Sequence, residues 1–370
     1  MYTRRQFIQT TVAAVGATAL PACSSPPGTG SSHGYGEAVE RTWRHSEGPL
    51  TTARALRREL VRYATLAPSS HNTQCWKFTL EEGRISILPD LLRRCPVVDP
   101  DNHHLFVSLG CAAENLVQAA QANGLHGEVR FDGAGGDVVR VAMEPTKPVS
   151  SPMFQAIPKR QCTRAPYDEH ELPSEQLKLL ERAAKGDGVD LLLLTDRDRM
   201  EEVLEYVVQG NTIQMNDRAF VEELETWIRF SEGEAVRRGD GLFSRSFGNP
   251  AVPRWLASPL MSFFFRAGSE NEKYARHIRS SAGIAVFVSE ADEKPHWVEA
   301  GRCYERFALQ AAALGIRNAL VNQPVEVAAL RPQFASHLGV GNRRPDLIVR
   351  FGHGPEMPPS LRRPIDAVIV

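Results

Sequence analysis

One short segment of the sequence concentrates side chains that can hold a flat polar ring. It runs Ala67-Pro68-Ser69-Ser70-His71-Asn72-Thr73-Gln74-Cys75-Trp76, so hydroxyls and amides follow a proline in close succession. Asn72 and Gln74 each offer donors and an acceptor, and the edge of a heterocycle with carbonyls and a ring N–H needs that mixture. The segment therefore predicts a ligand-binding loop, and an ordinary polar turn is the alternative interpretation.

The elements around this loop are predicted from hydrophobic spacing. Apolar residues recur at helical intervals from Thr51 to Leu66 and stop just before Pro68. The loop then leads into two strand-like runs, 76–80 and 84–88, a helix over about 104–123, and two more strands at 128–131 and 138–143. The loop should thus join a helix to the first strand of a sheet.

A second set of elements follows from residue 151. Its predicted members are a helix over about 173–185, strands at 189–194, 284–289, 318–321 and 346–351, and a long helix over about 295–314. Gly110 to Gly124 and Gly301 to Gly315 match at an offset of 191 residues, which also aligns Glu114 with Glu305. This pattern predicts an α+β fold built from two related halves, 50–150 and 151–370, that pack as a pseudo-dimer.

A helical insertion, about 199–279, separates two strands of the second half. It opens with apolar residues at helical spacing and ends in a stretch dense in aromatic residues and proline. Such an insertion can be a lid, an arm around the other half, or additional packing, and the sequence leaves these alternatives open.

The first residues have the features of an export signal. Arg4-Arg5-Gln6-Phe7 precedes a weakly apolar run that is too short to span a membrane, which resembles a twin-arginine signal. Leu20-Pro21-Ala22-Cys23 resembles a lipobox, and residues 24–49 are predicted to be a flexible tether. We therefore expect export to the cell envelope or periplasm, with a lipid anchor at Cys23; a disordered N-terminus that anchors nothing is the alternative.

Composition and missing motifs exclude several classes of function. The 370 residues contain 43 basic and 44 acidic side chains, for a net charge of −1, so no basic face for nucleic acid is expected. The sequence has no CxxC, GxGxxG or P-loop pattern, and we expect no metal site. His103, His104 and His296 have no partners at ligand spacing, so surface or capping roles are predicted for them.

Three motifs together resemble the nitroreductase superfamily, and in particular its Acg-type branch with two nitroreductase-like halves in one chain. The loop at 67–76 is similar to the P-S-x-x-N-x-Q-P-W motif, with Cys75 in place of the proline. Residues 158–167 are similar to the R-R-S-x-R-x-F segment, with Cys162 in place of the hydroxyl residue. The stretch from Gly352 to Ile365 resembles the family's terminal glycine–proline turn and basic tail.

The resemblance implies FMN as the cofactor and a set of residues that contact it. Ser69, Ser70, Asn72 and Gln74 would approach the flavin from one half, while Arg160, Cys162 and Arg164 would approach from the other. The flavin phosphate needs guanidinium groups, so Arg160, Arg164 and Arg362 or Arg363 are its candidates. Asn322 and Gln323 follow a second-half strand and complete the predicted set of cofactor-binding residues.

Two functions within this family and one outside it remain open at this point. The first is an FMN-dependent oxidoreductase of nitroreductase type, which takes electrons from NAD(P)H or another donor and passes them to an aromatic or nitro acceptor. No catalytic residue is then required, because the flavin carries the chemistry. The second is a protein that binds or sequesters flavin with little turnover. The third is a lipid-tethered interaction protein without a cofactor.

Overall fold

The computed structural model describes residues 33–48, 50–264 and 266–370. The predicted signal, the lipobox and Cys23 lie outside these residues. Part of the predicted tether differs from expectation, because helix α1 (His33–Thr42) forms within it. Tyr35 and Ala38 lie one turn apart on α1 and are buried with Phe243 and Leu361, and this apolar pair explains why the segment is ordered.

The first half is a four-stranded antiparallel sheet with two helices. Its elements in chain order are α2 (Ala53–Thr65), β1 (Trp76–Glu81), β2 (Arg84–Pro89), α3 (His103–Ala122), β3 (Leu125–Asp132) and β4 (Val138–Pro145). The strand order is β1-β2-β4-β3. These bounds confirm the helices and strands that hydrophobic spacing predicts for this half.

The second half also has a four-stranded sheet, with a long interruption between its first two strands. Its elements begin with α4 (Pro152–Ala156), α5 (Ser174–Ala183) and β5 (Val189–Leu194). The interruption contains α6 (Arg197–Asn216), α7 (Arg218–Trp227), β6 (Ile228–Arg229), α8 (Glu232–Arg238), β7 (Leu242–Phe243), α9 (Arg254–Phe264) and α10 (Ala267–Arg279). It ends with β8 (Gly283–Ser289), α11 (Lys294–Ala313), β9 (Arg317–Leu320), α12 (Gln323–Glu326), α13 (Arg331–His337) and β10 (Arg344–Gly352).

The two sheets have the same strand order. The second sheet runs β5-β8-β10-β9, so each of its strands takes the position that β1, β2, β4 and β3 take in the first sheet. Glu82 and Gly83 alone connect β1 to β2, whereas the insertion occupies the equivalent connection between β5 and β8.

Helices α3 and α11 pack against each other through a reciprocal close contact. A Cβ atom on Gly110 would lie 1.9 Å from the Val298 carbonyl oxygen, and one on Gly301 would lie 2.0 Å from the Val107 carbonyl oxygen. Both pairs keep the 191-residue offset of the sequence repeat. Glycine is required at both positions because the helix backbones touch there.

The halves also exchange short backbone contacts. The amide of Phe78 in β1 donates to the Val368 carbonyl oxygen near the C-terminus, and the amide of Val370 donates to the Phe78 carbonyl oxygen. The largest buried apolar cluster draws residues from both sheets and from α3 and α11. Among the described residues, no helix is long and apolar enough to cross a membrane.

Candidate functional site

A cavity of about 220 Å³ lies where the predicted binding loop meets the second half and the insertion. The loop supplies Pro68, Ser69, Ser70 and His71 to its wall. Helix α3 adds His104, Val107, Ser108 and Cys111, and the second half adds Arg164, Tyr304, Leu320, Asn322, Gln323, Glu326 and Leu347. The insertion adds Asn211, Gln214, Met215, Phe220, Leu224, Ile228, Leu242, Phe247, Glu270, Lys273 and Tyr274.

The loop backbone is held in a conformation that L-residues rarely adopt. His71, Asn72 and Gln74 have φ values of 49°, 53° and 53°, in the left-handed region. Such strain costs about 1–3 kcal/mol per residue and persists only where the surroundings fix the backbone, which is common at binding sites. The loop's first residues, Ser69 to His71, line the cavity.

The side chains of Asn72 and Gln74 hold the loop backbone in this conformation through hydrogen bonds. They are not among the residues that line the cavity. The Asn72 amide donates to the Gly241 and Leu361 carbonyl oxygens at 2.8 and 3.1 Å. The Gln74 amide donates to the Gly239 carbonyl oxygen at 2.9 Å. Both amides are buried and tie the loop to the insertion and the C-terminal segment. The two side chains therefore lie behind the cavity wall and do not face the cavity.

The structure divides the remaining predicted residues into two groups. Ser69, Ser70, Arg164, Asn322 and Gln323 come together in the cavity wall, although they come from distant parts of the sequence. The residues that do not line the cavity are Arg160, Cys162, Arg362 and Arg363.

Arg160 is buried between the halves. Its Nε lies 3.1 Å from Glu305 Oε1, and its Nη2 donates to the Leu66 carbonyl oxygen at 3.0 Å. The Glu305 carboxylate receives no hydrogen bond from the described residues, and burial raises its pKa to about 7 in spite of the Arg160 charge. Arg160 therefore belongs to a buried ion pair behind the cavity, where its charge is already engaged.

Arg164 is a cation of the cavity for which the described part of the chain offers no ion-pair partner. Among the described residues it forms no ion pair, and no hydrogen bond from its guanidinium is found in that part of the chain. It lies close enough to His71 to help burial lower the pKa of that imidazole to about 4, so His71 is neutral at pH 7. Lys273 is a second cavity cation, 3.7 Å from Glu270, and burial lowers its pKa. The cavity thus presents a half-buried guanidinium with free donors.

Gln323 contributes a hydrogen-bond acceptor that no described donor satisfies. Its Oε1 atom is buried and has no hydrogen-bond partner among the described residues. A buried amide oxygen left unpaired costs about 1–3 kcal/mol, and a ligand with an N–H or O–H group would remove that cost. Arg164 and Gln323 therefore give the cavity one anion receptor and one acceptor.

His104 is a cavity residue that the sequence prediction missed. The prediction of a surface or capping role for His103 and His104 is wrong, because both are buried. Asn322 Oδ1 accepts from the Ile348 amide at 2.9 Å, so its Nδ2 must donate to His104 Nε2, 3.2 Å away. His104 then carries its proton on Nδ1, which lies 3.6 Å from Asp99 Oδ1.

Two aspartates, Asp99 and Asp346, explain why these histidines are buried. Its carboxylate accepts from the His104 and Leu105 amides at 3.0 Å each, and so caps the start of α3. His103 Nε2 lies 2.8 Å from Asp346 Oδ1 on β10. An aspartate shortly before two histidines was the only signal in the sequence, and it does not reveal the partner on β10.

Comparison with known proteins points to one class. No protein-family model matches the chain. Curated relatives in the sequence comparison carry names of the NAD(P)H nitroreductase type, and the chain is similar to them at 22–25% identity.

Two relatives come from Mycobacterium tuberculosis. The protein named "Putative NAD(P)H nitroreductase Rv3131" is 25% identical over 328 residues, 84% of this chain and 90% of the relative. The protein named "Putative NAD(P)H nitroreductase acg" is 22% identical over 322 residues, 83% of this chain and 93% of the relative. Among solved structures, the FMN-dependent nitroreductase NfnB from Mycobacterium smegmatis, in complex with NADPH, is 14% identical, covering 55% of this chain and 87% of its own, with a TM-score of 0.37.

Proposed function

We propose that the chain is an FMN-dependent oxidoreductase of nitroreductase type that passes electrons from NAD(P)H or another donor to an aromatic or nitro acceptor. One observation carries the proposal. The loop residues Ser69 and Ser70 share one cavity with Arg164 and Gln323 of the other half, as the motif resemblance implies. The distant relationship to NAD(P)H nitroreductases supports the same class.

The residues present fit a flavin mononucleotide in kind. The Arg164 guanidinium would receive the phosphate, because it is a cation without a partner among the described residues. The Gln323 oxygen would accept from a ring N–H, and the Ser69 and Ser70 hydroxyls would meet polar edges. Val107, Leu320, Leu347 and Phe247 supply apolar surface for a ring.

The cavity volume requires side chains to move before a flavin can fit. The cavity of about 220 Å³ lies below the roughly 300–1,000 Å³ of typical small-molecule sites. Side chains of the insertion that line the cavity, such as Leu224 and Phe247, would therefore have to shift when the cofactor enters. Their place on the insertion makes it the part that covers the ligand.

In this proposal the flavin, when bound, supplies hydride transfer, and the protein supplies binding and electrostatics. Arg164 and Lys273 would stabilise negative charge in the cavity. The buried Asn322–His104 hydrogen bond would fix part of the cavity wall. His71 is neutral at pH 7 and adds no opposing charge.

A flavin-binding protein with little turnover is the second candidate, because the insertion lines so much of the cavity. Side chains of α6, α7 and α10 all face it, which would restrict access of an electron donor to a bound ring. Internal duplication of one α+β unit, export through the twin-arginine route and a lipid anchor at Cys23 belong to the same proposal. The equal strand order and the reciprocal Gly110 and Gly301 contacts support the duplication.

The test is flavin binding by the purified full-length chain. We expect a flavin absorbance spectrum and stoichiometric FMN binding, with Arg164→Ala raising the dissociation constant about tenfold or more. Arg218→Ala, whose side chain is 91% exposed on α7, is the matched control and should bind FMN like the wild type. A colourless protein that does not take up added FMN would refute the proposal.

Anaerobic mixing with NADPH separates the two candidates. Rapid bleaching of the flavin and re-oxidation by a nitroaromatic compound are expected of the oxidoreductase. If the wild-type flavin is not bleached but the flavin of a Leu224→Ala/Phe247→Ala double variant is, the chain is the covered flavin-binding protein. Trp255→Ala, 76% exposed and outside the cavity wall, is the control for that variant.

A further inference from the structure

A second cavity, of about 350 Å³, shares no lining residue with the proposed flavin site. It is enclosed by α1, α2, α8 and the C-terminal segment 361–365. Six arginines line it: Arg41, Arg62, Arg237, Arg238, Arg362 and Arg363. No acidic residue is found among the lining residues that the structure describes. So many like charges around one cavity oppose each other unless an anion lies between them.

Three of the six arginines have acidic partners outside the cavity. Arg62 pairs with Glu59 at 2.6 Å, Arg41 lies 3.7 Å from Glu37 on the exposed face of α1, and Arg363 lies 4.0 Å from Asp90. The other three, Arg237, Arg238 and Arg362, form no ion pair within the described part of the chain. The cavity therefore keeps an excess of positive charge.

Arg362 is the best-fixed of the uncompensated cations. Its guanidinium donates to the Thr65, Leu66 and Ala67 carbonyl oxygens at 2.7, 3.0 and 3.0 Å, and to Asn72 Oδ1 at 2.9 Å. Burial, with help from the Arg160 charge, lowers its pKa to about 9. Its charge is held rigidly at the cavity wall while its donors are engaged elsewhere.

Helix ends account for only part of this cluster. Arg41, Arg62, Arg237 and Arg238 lie in the last turns of α1, α2 and α8, where a cation stabilises a helix by about 0.3–1 kcal/mol. Arg362 and Arg363 lie in the tail and belong to no helix. Leu66, Val236, Leu361 and Ile365 add apolar surface beside the charges.

We infer that this cavity is a binding site for a multiply charged phosphoryl anion, distinct from the proposed flavin site. The anion would lie between α8 and the tail, where Arg237 and Arg238 have free donors and Arg362 adds fixed charge. Two sources share this chemistry: a soluble polyphosphate and the headgroup of an anionic lipid. The inference does not depend on flavin binding.

The experiment uses the full-length chain and two probes. Inorganic pyrophosphate is titrated by calorimetry, and vesicles with and without phosphatidylglycerol are tested by co-sedimentation. The test variant is Arg237→Ala/Arg238→Ala, whose positions are exposed, so folding should be retained. The control is Arg130→Ala/Arg218→Ala, which removes the same charge from side chains that are 73% and 91% exposed and outside the cavity.

We expect saturable binding to at least one probe, weakened about tenfold or more in the test variant and less than about twofold in the control. Binding of pyrophosphate identifies a soluble anion, and binding only to phosphatidylglycerol vesicles identifies a lipid headgroup. Equal losses in both variants would reveal non-specific charge attraction and overturn the inference. So would the absence of saturable binding to either probe.

Discussion

The two halves share a strand order and differ in what they give to the cavity. The first half connects β1 to β2 through Glu82 and Gly83 and contributes the strained loop before β1. The second half connects β5 to β8 through the insertion and contributes Arg164, Asn322 and Gln323. Two sheets of the same strand order thus differ in what their connections add to the cavity wall: the first half adds the strained loop, and the second half adds the insertion and three polar side chains.

The central helices show the same contrast on a smaller scale. Glu114 on α3 and Glu305 on α11 occupy equivalent positions of the sequence repeat. Glu114 lies 2.8 Å from Arg306 and 3.4 Å from Arg302, and it accepts a hydrogen bond from Gln118. Glu305 has Arg160 as its ion-pair partner and receives no hydrogen bond from the described residues. Equivalent backbone positions thus hold the same side chain in different electrostatic surroundings.

The largest effect is expected at the contact that joins the halves. Gly110→Ala places a Cβ atom 1.9 Å from the Val298 carbonyl oxygen, so α3 and α11 must separate. We expect the free energy of unfolding to fall by about 3 kcal/mol or more, because overpacking a close backbone contact cannot be relieved by side-chain rotation. Urea denaturation followed by circular dichroism measures it.

Gly268→Ala in α10 is the matched control. A Cβ atom there meets nothing within 4 Å, so stability should stay the same or rise slightly. A loss of less than about 1 kcal/mol for Gly110→Ala would show that the two helices are not locked by this contact.

The second prediction concerns the unequal glutamates. The pKa of Glu305 is raised to about 7 by burial, so its stabilising contribution is present below the ordinary pKa of about 4.3 and is lost as pH rises through 7. The free energy of unfolding should decrease between pH 5 and pH 8 in the wild type. In Glu305→Gln this decrease should be smaller by about 2 kcal/mol. Chemical denaturation at several pH values measures the difference.

Glu114→Gln tests whether the effect is specific to one half. Asp346, whose pKa burial also raises to about 7, titrates in every variant and cancels from the comparison. The Glu114 charge helps to raise the pKa of Glu305, so we expect Glu114→Gln to reduce the pH dependence of stability by less than Glu305→Gln does. Equal slopes in the wild type and Glu305→Gln would contradict the argument from burial.

The elements of the fold could be read from the sequence, whereas the direction of individual side chains could not. Hydrophobic spacing predicts the helices and strands of both halves because burial imposes that spacing. Asn72 and Gln74 were predicted as cofactor ligands, but positive φ values turn them toward Gly241 and Gly239, far away in the sequence. Local spacing carries no information about such partners.

The histidines show the same limit. His104 lines the cavity because the β9–α12 connection brings Asn322 against the start of α3. That contact depends on how the two halves pack, and two adjacent histidines with no second ligand in the sequence do not reveal it. Arg164, named from its motif position, lies in the cavity wall, and its role as a cofactor ligand stays a prediction.

The smallest expected effect tests whether the insertion is an integral part of its half. Asp196 caps α6 by accepting from the Arg199 amide at 3.1 Å, and Thr52 caps α2 of the first half by accepting from the Ala55 amide at the same distance. Loss of either cap should cost about 1 kcal/mol. Buried α6 residues pack with β8 and β10, so we expect Asp196→Ala and Thr52→Ala to lower the midpoint of one shared unfolding transition. If Asp196→Ala instead produced a separate early transition, with hydrogen exchange increased only in the insertion, the insertion would be an independently opening cover. The difference between the halves would then be one of dynamics as well as of sequence.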